Sequence, residues 1–354
     1  LFNDRVANTF TYNGLGVGRL FPEAFLQNIG NSISQIGANT WQDAKQTNFY
    51  ATHGINIATN EYWLSQRGQR VALFNEEGIT FPNHLIYKLS DSLALADVMG
   101  TLDERLSLST VNSLFEAGSE QPVSSLERVL DALCKTLLNQ NDATQIGDAE
   151  NSAQSRVDFQ AKLAELRAFA ETHPNAFQIE TLLDKTAAGL AGLAINGDVD
   201  ALAYRYALRE LNPFAVLGAD YSSHQVGLSL YDTSTGTGTL TPEWIADRSK
   251  LLAAVITAHT NDSASGNTLV INPASSDTIL FKDLTRGITL RDGQAALDPK
   301  RIIFGSDAAE TLSGGNQSDR LYGAAGADIL KGNAGADYLE GGTGDDTLRG
   351  GKGV

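Results

Sequence analysis

The chain of 354 residues has one cysteine, Cys134, and one methionine, Met99. A lone thiol excludes an intrachain disulfide. Cys134 also falls in an apolar helical stripe with Leu126, Val129, Leu130, Leu133 and Leu137, which makes it a small core residue rather than a nucleophile. Basic residues are scarce: 26 Lys and Arg stand against 42 Asp and Glu, for a net charge of −16. A nucleic-acid partner needs a basic surface, so this balance argues against one. No run of eighteen apolar residues occurs, so no membrane-spanning helix is expected. The 42% hydrophobic content still suffices for real cores in two or three domains. The chain opens on Leu1 and closes part-way through a repeat, so it reads as an internal piece of a longer protein.

The most regular stretch is the last fifty residues. From Gly305 they repeat every nine: GSDAAETLS, GGNQSDRLY, GAAGADILK, GNAGADYLE and GGTGDDTLR, followed by the stub GGKGV. The sixth place holds Glu310, Asp319, Asp328, Asp337 and Asp346. The eighth holds Leu312, Leu321, Leu330, Leu339 and Leu348. A Gly/Asp linker has no reason to keep leucine in phase, so the period is structural. Calcium takes six to eight oxygens from carboxylates and backbone carbonyls. Glycines allow tight turns that aim carbonyls inward, and each x-Leu-x is a short strand whose leucine fills the interior.

These nonapeptides resemble the G-G-x-G-x-D-x-U-x unit of RTX proteins, which forms a calcium-loaded parallel β-roll. In that family an ion sits between turns stacked two repeats apart. The resemblance therefore implies Asp328 with Asp346, and Asp319 with Asp337, as Ca2+ pairs. Gly323, Gly326, Gly332, Gly335, Gly341, Gly342 and Gly344 would shape the turns around them. The first repeat, with Glu310 and one glycine, reads as a cap, and Gln317 replaces a glycine in the second. RTX proteins usually leave the cell unfolded by type I secretion and fold on meeting external calcium. The resemblance thus implies a secreted, extracellular protein, and the scarcity of cysteine agrees.

Upstream, residues 1–99 alternate strand and helix patterns. Strands are expected at Ala7–Tyr12, Asn48–Thr52 and Arg70–Phe74, with helices over Phe21–Ile36 and after His84, as in part of a parallel α/β sheet. Residues 100–217 read as mostly helical, with helices at 125–138, 155–172, 179–195 and 200–211. Residues 218–304 read as a mixed α/β connector. It has a strand at Val226–Tyr231, a helix opened by Thr241-Pro242, and short strands at 278–284, 288–290 and 301–304. Asp298-Pro299 reads as a plain turn. Residues 305–354 form the roll.

TYNGLGVG, NHLIYKLSDSLAL, LNPFAVLGAD and LTPEWIADRSKLLAAV resemble stretches of RTX-linked, lipase-type α/β-hydrolases. The fold class implied is multidomain: a partial α/β-hydrolase sheet, a helical region and a C-terminal parallel β-roll. The activity implied is ester hydrolysis of a lipid through an acyl-enzyme. His84, in NHLIYKLSDSLAL, takes the place of the triad histidine. Glu61 is the one carboxylate in HGINIATNEYW, where the triad acid is expected, and Asn56 stands where an aspartate would be hoped for. Glu76 and Glu77 are rivals. No serine stands in a G-x-S-x-G frame, so the nucleophile is expected upstream of this chain. His53, His173, His224 and His259 show no metal-ligand spacing and read as structural or exposed. The alternative is a non-enzymatic RTX adhesin or surface-layer module, with the α/β part as scaffold.

Overall fold

The structure, a computed structural model, describes residues 9–12, 17–18, 46–51, 64–65, 69–74, 86–118, 125–140, 153–224, 227–261, 264–265 and 268–353. They divide into two compact units. One takes in 1–115, 121–130 and 146–174; the other takes in 116–120, 131–145 and 175–354.

In the first unit, β1 (Thr9–Tyr12), β3 (Gln46–Ala51) and β5 (Gln69–Leu73) form a parallel sheet in the order β1-β3-β5. Thr9 stands opposite Gln46 and Thr47 opposite Gln69. Parallel neighbours need long crossovers, and the intervals between these strands are long enough. The short β2 (Val17–Gly18) and β4 (Leu64–Ser65) pair antiparallel. Helix α1 (Ile86–Leu102) packs on α4 (Ala153–Thr172), and Leu95 and Met99 of the one and Phe159, Leu163 and Leu166 of the other are buried. Buried Asp91 of α1 is paired by Arg156, whose Nη2 lies 2.8 Å from Oδ1, and by Gln160 at 2.9 Å. Helix α2 (Leu108–Ala117) holds the end of β5: Asn112 Oδ1 accepts from Phe74 N at 3.1 Å, and its Nδ2 donates to Ala72 O at 2.9 Å. Helix α3 (Ser125–Leu138), whose residues from Asp131 onward are assigned to the second unit, buries Cys134 completely, as its stripe required. The expected helix over Phe21–Ile36 lies outside the described residues.

The second unit corrects two expectations. A single helix was expected over 179–195, but Gln178–Thr181 is a strand, β6, paired antiparallel with β7 (Phe214–Leu217). Ile179 and Thr181 are β-branched, and Ile179 is buried opposite Val216, a partner distant in sequence that local periodicity cannot show. Helix α5 starts only at Ala187 and runs to Ile195, where Thr186 Oγ1 caps Gly189 N at 3.1 Å. A strand was also expected at Val226–Tyr231. Residues 227–229 instead turn, and Leu230 makes only an isolated bridge to Leu240. Helix α6 (Ala201–Glu210) follows its pattern and ends on Leu211 in the left-handed region (φ 55°).

Helix α7 (Pro242–Thr260) begins as predicted, with Thr241 as N-cap and proline in its first turn. It lies on a seven-stranded sheet of order β16-β14-β12-β10-β11-β9-β8. These strands are β8 (Ala264–Ser265), β9 (Thr268–Ile271), β10 (Ile279–Asp283), β11 (Ile288–Asp292), β12 (Lys300–Phe304), β14 (Arg320–Tyr322) and β16 (Tyr338–Glu340). The last two belong to the nonapeptides. The others in the repeats, β13 (Thr311–Ser313), β15 (Ile329–Lys331) and β17 (Thr347–Arg349), form a second sheet.

Strand β12 explains how helix and roll share one sheet. Ile302 and Phe304 point into the core with Leu251, Leu252, Phe281 and Leu290. Ile303, between them, points the other way and joins Leu312, Leu321 and Leu330 inside the roll. Alternation along a strand does this automatically, and a parallel sheet is stable with both faces covered. The pattern continues outward: Leu321 faces the roll interior while Tyr322 faces α7 and stacks on Phe304 at 5.1 Å. The Tyr322 hydroxyl donates to Asp247 Oδ2 of α7 at 2.8 Å, and Arg320 pairs the same oxygen at 3.2 Å. Burial and the Asp247 carboxylate both push that phenol well above its ordinary value. Beneath this seam, buried Arg248 pairs Asp283 at 2.6 Å and lies over the Phe304 ring at 4.8 Å.

Candidate metal centre

Each nonapeptide gives one turn and one strand, and successive strands alternate between the two sheets, so every second repeat stacks in register. Leu312 stands opposite Leu330, Leu330 opposite Leu348, and Leu321 opposite Leu339. The expectation that all five leucines fill the interior holds for the first three. Leu339 is half-buried and Leu348 is 47% exposed, because nothing stacks above the last strands among the described residues.

The stacking brings the predicted carboxylate pairs together, through a specific contact. Asp337 Oδ1 accepts from the backbone N–H of Asp319 at 2.9 Å, and Asp346 Oδ1 accepts from that of Asp328, also at 2.9 Å. Asp328 Oδ1 accepts from Glu310 N at 2.8 Å, and Asp319 Oδ1 from Arg301 N at 2.7 Å. One oxygen of each aspartate thus ties its level to the level below.

The second oxygen separates the repeats into two kinds. In the first two it is satisfied by its own turn: Glu310 Oε2 accepts from Ser306 N at 3.0 Å, and Asp319 Oδ2 from Gly315 N. In the next two it is not. Asp328 Oδ2 and Asp337 Oδ2 are buried with no hydrogen-bond partner. A buried, unsatisfied carboxylate oxygen is costly, so two in successive turns need an explanation. A hard divalent cation supplies one, since it prefers oxygen ligands and neutralises the charge. Among the described residues no three acidic, histidine or cysteine side chains cluster. Ligands beyond the carboxylates would therefore be backbone carbonyls, which these turns crowd together. A Cβ on Gly332 would lie 2.5 Å from the Gly350 oxygen and would also meet Asp337 Oδ2. Gly323 and Gly341 likewise have no room beside Asp328 Oδ2 and Asp346 Oδ2. Gly326, Gly335 and Gly344 take φ of 114°, 121° and 130°, and Gly342 takes 96°. Neither Gln317 nor Ala308, at the same place as the first three, adopts a positive φ. The turn geometry therefore changes between the second repeat and the third, as the carboxylates do. Burial pushes the Asp319 carboxyl above its usual range, against the pull of its Gly315 and Arg301 donors, and the Asp337 charge adds to the rise.

His84 and Glu61 lie outside the described residues, as do His53, Asn56, Glu76 and Glu77. Of the other histidines, His173 is exposed, His224 half-buried, and His259 buried with Nδ1 at 3.0 Å from Ala117 O. Two features of the roll were missed in the sequence. The nonapeptide frame, counted back one unit from Glu310 and Leu312, places Arg301 at the acidic position and Ile303 at the apolar one, so β12 is a repeat without its glycines. Glu340, at the ninth place of its repeat, is half-buried and receives hydrogen bonds from Thr241 Oγ1 at 2.7 Å and Tyr338 Oη at 2.9 Å.

No curated protein and no solved structure matches the chain. The family model of the RTX calcium-binding nonapeptide repeat (4 copies) matches residues 304–339 and 331–354. RTX repeats are typical of secreted proteins, and among the described residues no helix is long and apolar enough to cross a membrane. The C-terminal β-roll is thus a set of RTX calcium-binding nonapeptide repeats, and such repeats bind Ca2+.

Proposed function

We propose that this calcium-binding chain belongs to a secreted ester hydrolase of lipase type, exported unfolded by type I secretion and folded by external Ca2+. Asp328, Asp337 and Asp346 would hold the ions with the carbonyls of their turns, and Asp319 would contribute through its stacking on Asp337. The cation supplies charge neutralisation for the stacked carboxylates. The chain's own part is to present one oxygen of Asp328 and of Asp337 while the other oxygen fixes the level below.

The hydrolase reading rests on one observation in the first unit. Three strands pair in parallel and in chain order, and a long helix, α1, follows the third. In open α/β sheets the reacting groups sit at the carboxyl ends of the strands. In the sequence Glu61 follows β3, and His84 follows β5 just ahead of α1. His84 would act as general base toward a serine, and Glu61 would orient its imidazole. No serine of these residues stands in G-x-S-x-G, so the nucleophile would come from a part of the protein outside them.

The test has two arms. These 354 residues alone are expected to leave p-nitrophenyl esters uncleaved above a histidine background. In the full-length protein, a G-x-S-x-G serine should be present, and His84→Ala should lower kcat by roughly three orders of magnitude with the fold intact. Full esterase activity in His84→Ala would end the triad assignment. Long tandem repeats in place of the serine motif would favour an adhesin.

A further inference from the structure

The unit that precedes the first nonapeptide carries a cation of its own. Arg301 occupies the acidic place of the frame, eighteen residues before Asp319, and its backbone N–H donates to Asp319 Oδ1 at 2.7 Å. That is the bond which Asp319 and Asp328 make to Asp337 and Asp346. Its side chain turns into the next turn of the roll. Nη1 donates to the Gly314 carbonyl oxygen, and a Cβ on Gly315 would lie 3.0 Å from the guanidinium carbon. Asp298 lies 3.7 Å from Nη2, and Asn316 Nδ2 donates to Asp298 Oδ2 at 3.1 Å. Burial raises the Asp319 carboxyl above its usual range, and the Arg301 charge pulls against that rise. At this level a positive charge, a turn carbonyl and two carboxylates lie together.

We propose that Arg301 is a built-in substitute for calcium at the base of the roll. It neutralises the lowest turn permanently, so that β12 and β14 stay paired when the ion is absent. The bound ions then order only the levels from Asp328 upward. Three observations converge on this division. The acids of the first two repeats satisfy their second oxygen with turn N–H groups, whereas Asp328 and Asp337 do not. Positive φ at the fourth place starts at Gly326. Strand β12 is also anchored from its other face by Ile302 and Phe304 in the core that α7 covers. The base is thus a preformed edge on which a calcium-dependent stack can grow. A chain that meets calcium after export would start from this template, without first closing an unsupported turn.

The experiment is amide hydrogen exchange on the full chain in chelator and in saturating Ca2+. In chelator, Ile303, Leu321 and Tyr322 should remain protected while β15 to β17 exchange freely. Calcium should then protect the upper strands. Arg301→Gln should lower protection at Leu321 and Tyr322 in chelator by at least about tenfold, because it removes a charged donor from a buried acceptor. Arg301→Lys, which keeps the charge, should retain most of it. If Arg301→Gln is unprotected even with calcium, the lysine variant decides: retained protection supports the charge, and equal loss overturns it. Base strands that exchange as fast as β17 in wild-type chain without calcium would also overturn the proposal, as would an Arg301→Gln variant indistinguishable from wild type.

Discussion

The Thr241 hydroxyl serves two elements at once: its oxygen accepts from Trp244 N at 3.1 Å to cap α7, and its proton goes to Glu340 Oε2 at 2.7 Å. Glu340 ends β16, in the repeat of Asp337. The carboxylate therefore sits at the positive end of the helix, where an anion is favoured. One side chain locks the fourth nonapeptide to the helix that covers the shared sheet.

Thr241→Val should remove both bonds and cost about 2 kcal/mol, summing a lost N-cap and a lost donor to a carboxylate. Thr241→Ser, which keeps the hydroxyl, should cost much less. Denaturant unfolding in saturating calcium measures the difference. Equal stability of the valine and serine variants would show that neither bond contributes.

Glu340 also makes stability depend on pH. Burial pushes its carboxyl above the usual range and Glu243 adds to the rise, while the Thr241 and Tyr338 donors pull it back. The folded chain therefore holds this proton more tightly than the unfolded one. The associated stability is fully present below the ordinary glutamate value of about 4.3 and is lost as pH rises through the higher folded value. Glu340→Gln keeps an acceptor without the charge. With calcium saturating, it should melt above wild type at neutral pH, and the gap should close as pH falls toward about 4. A gap that is the same at both pH values would exclude a desolvated Glu340 charge.

Calcium should respond to Asp328 and Asp337 more than to Glu310. Asparagine can keep the Oδ1 bond to the level below, so Asp328→Asn and Asp337→Asn test the charge on the orphan oxygen alone. One unit of charge a few ångströms from a divalent ion interacts by about 2 kcal/mol even at the dielectric of water. Each change should therefore weaken calcium binding by roughly tenfold or more. Glu310→Gln should weaken it far less, since Ser306 already satisfies that carboxylate. Calcium titration followed by circular dichroism measures all three, and the far-ultraviolet signal of the roll should grow as calcium is added. Equal effects of the three changes would contradict the division between repeats.

Ala324 holds φ of 76°, and its side chain is exposed. Alanine is strained there and glycine is not, so Ala324→Gly should stabilise the calcium-loaded roll by about 1 kcal/mol. Asn333, at the same place in the next repeat with φ of 73°, tolerates the conformation better, and Asn333→Gly should gain less. Thermal unfolding in calcium distinguishes the two.

Much of the roll was decided by sequence alone. A nine-residue period with leucine and an acid in constant phase marks a repeated turn and strand, and the resemblance to RTX nonapeptides implied stacking two repeats apart with Ca2+ between the turns. The same is true of the helix at Pro242, where Thr241 and proline act within one turn, and of the three strands of the first unit. Tertiary structure decided whatever depends on a partner distant in sequence. Gln178–Thr181 became a strand because Phe214–Leu217 pairs with it, although its own pattern continued into a helix. Ile302 and Ile303 are adjacent and equally apolar, yet they serve different cores, because a sheet has two faces and only the fold determines what covers each. Nothing in the sequence singles out Arg301 or Glu340 until the fold brings Gly314 to one and Thr241 to the other. A charge acquires its role from what stands within a few ångströms of it, and that distance is set by the folded chain.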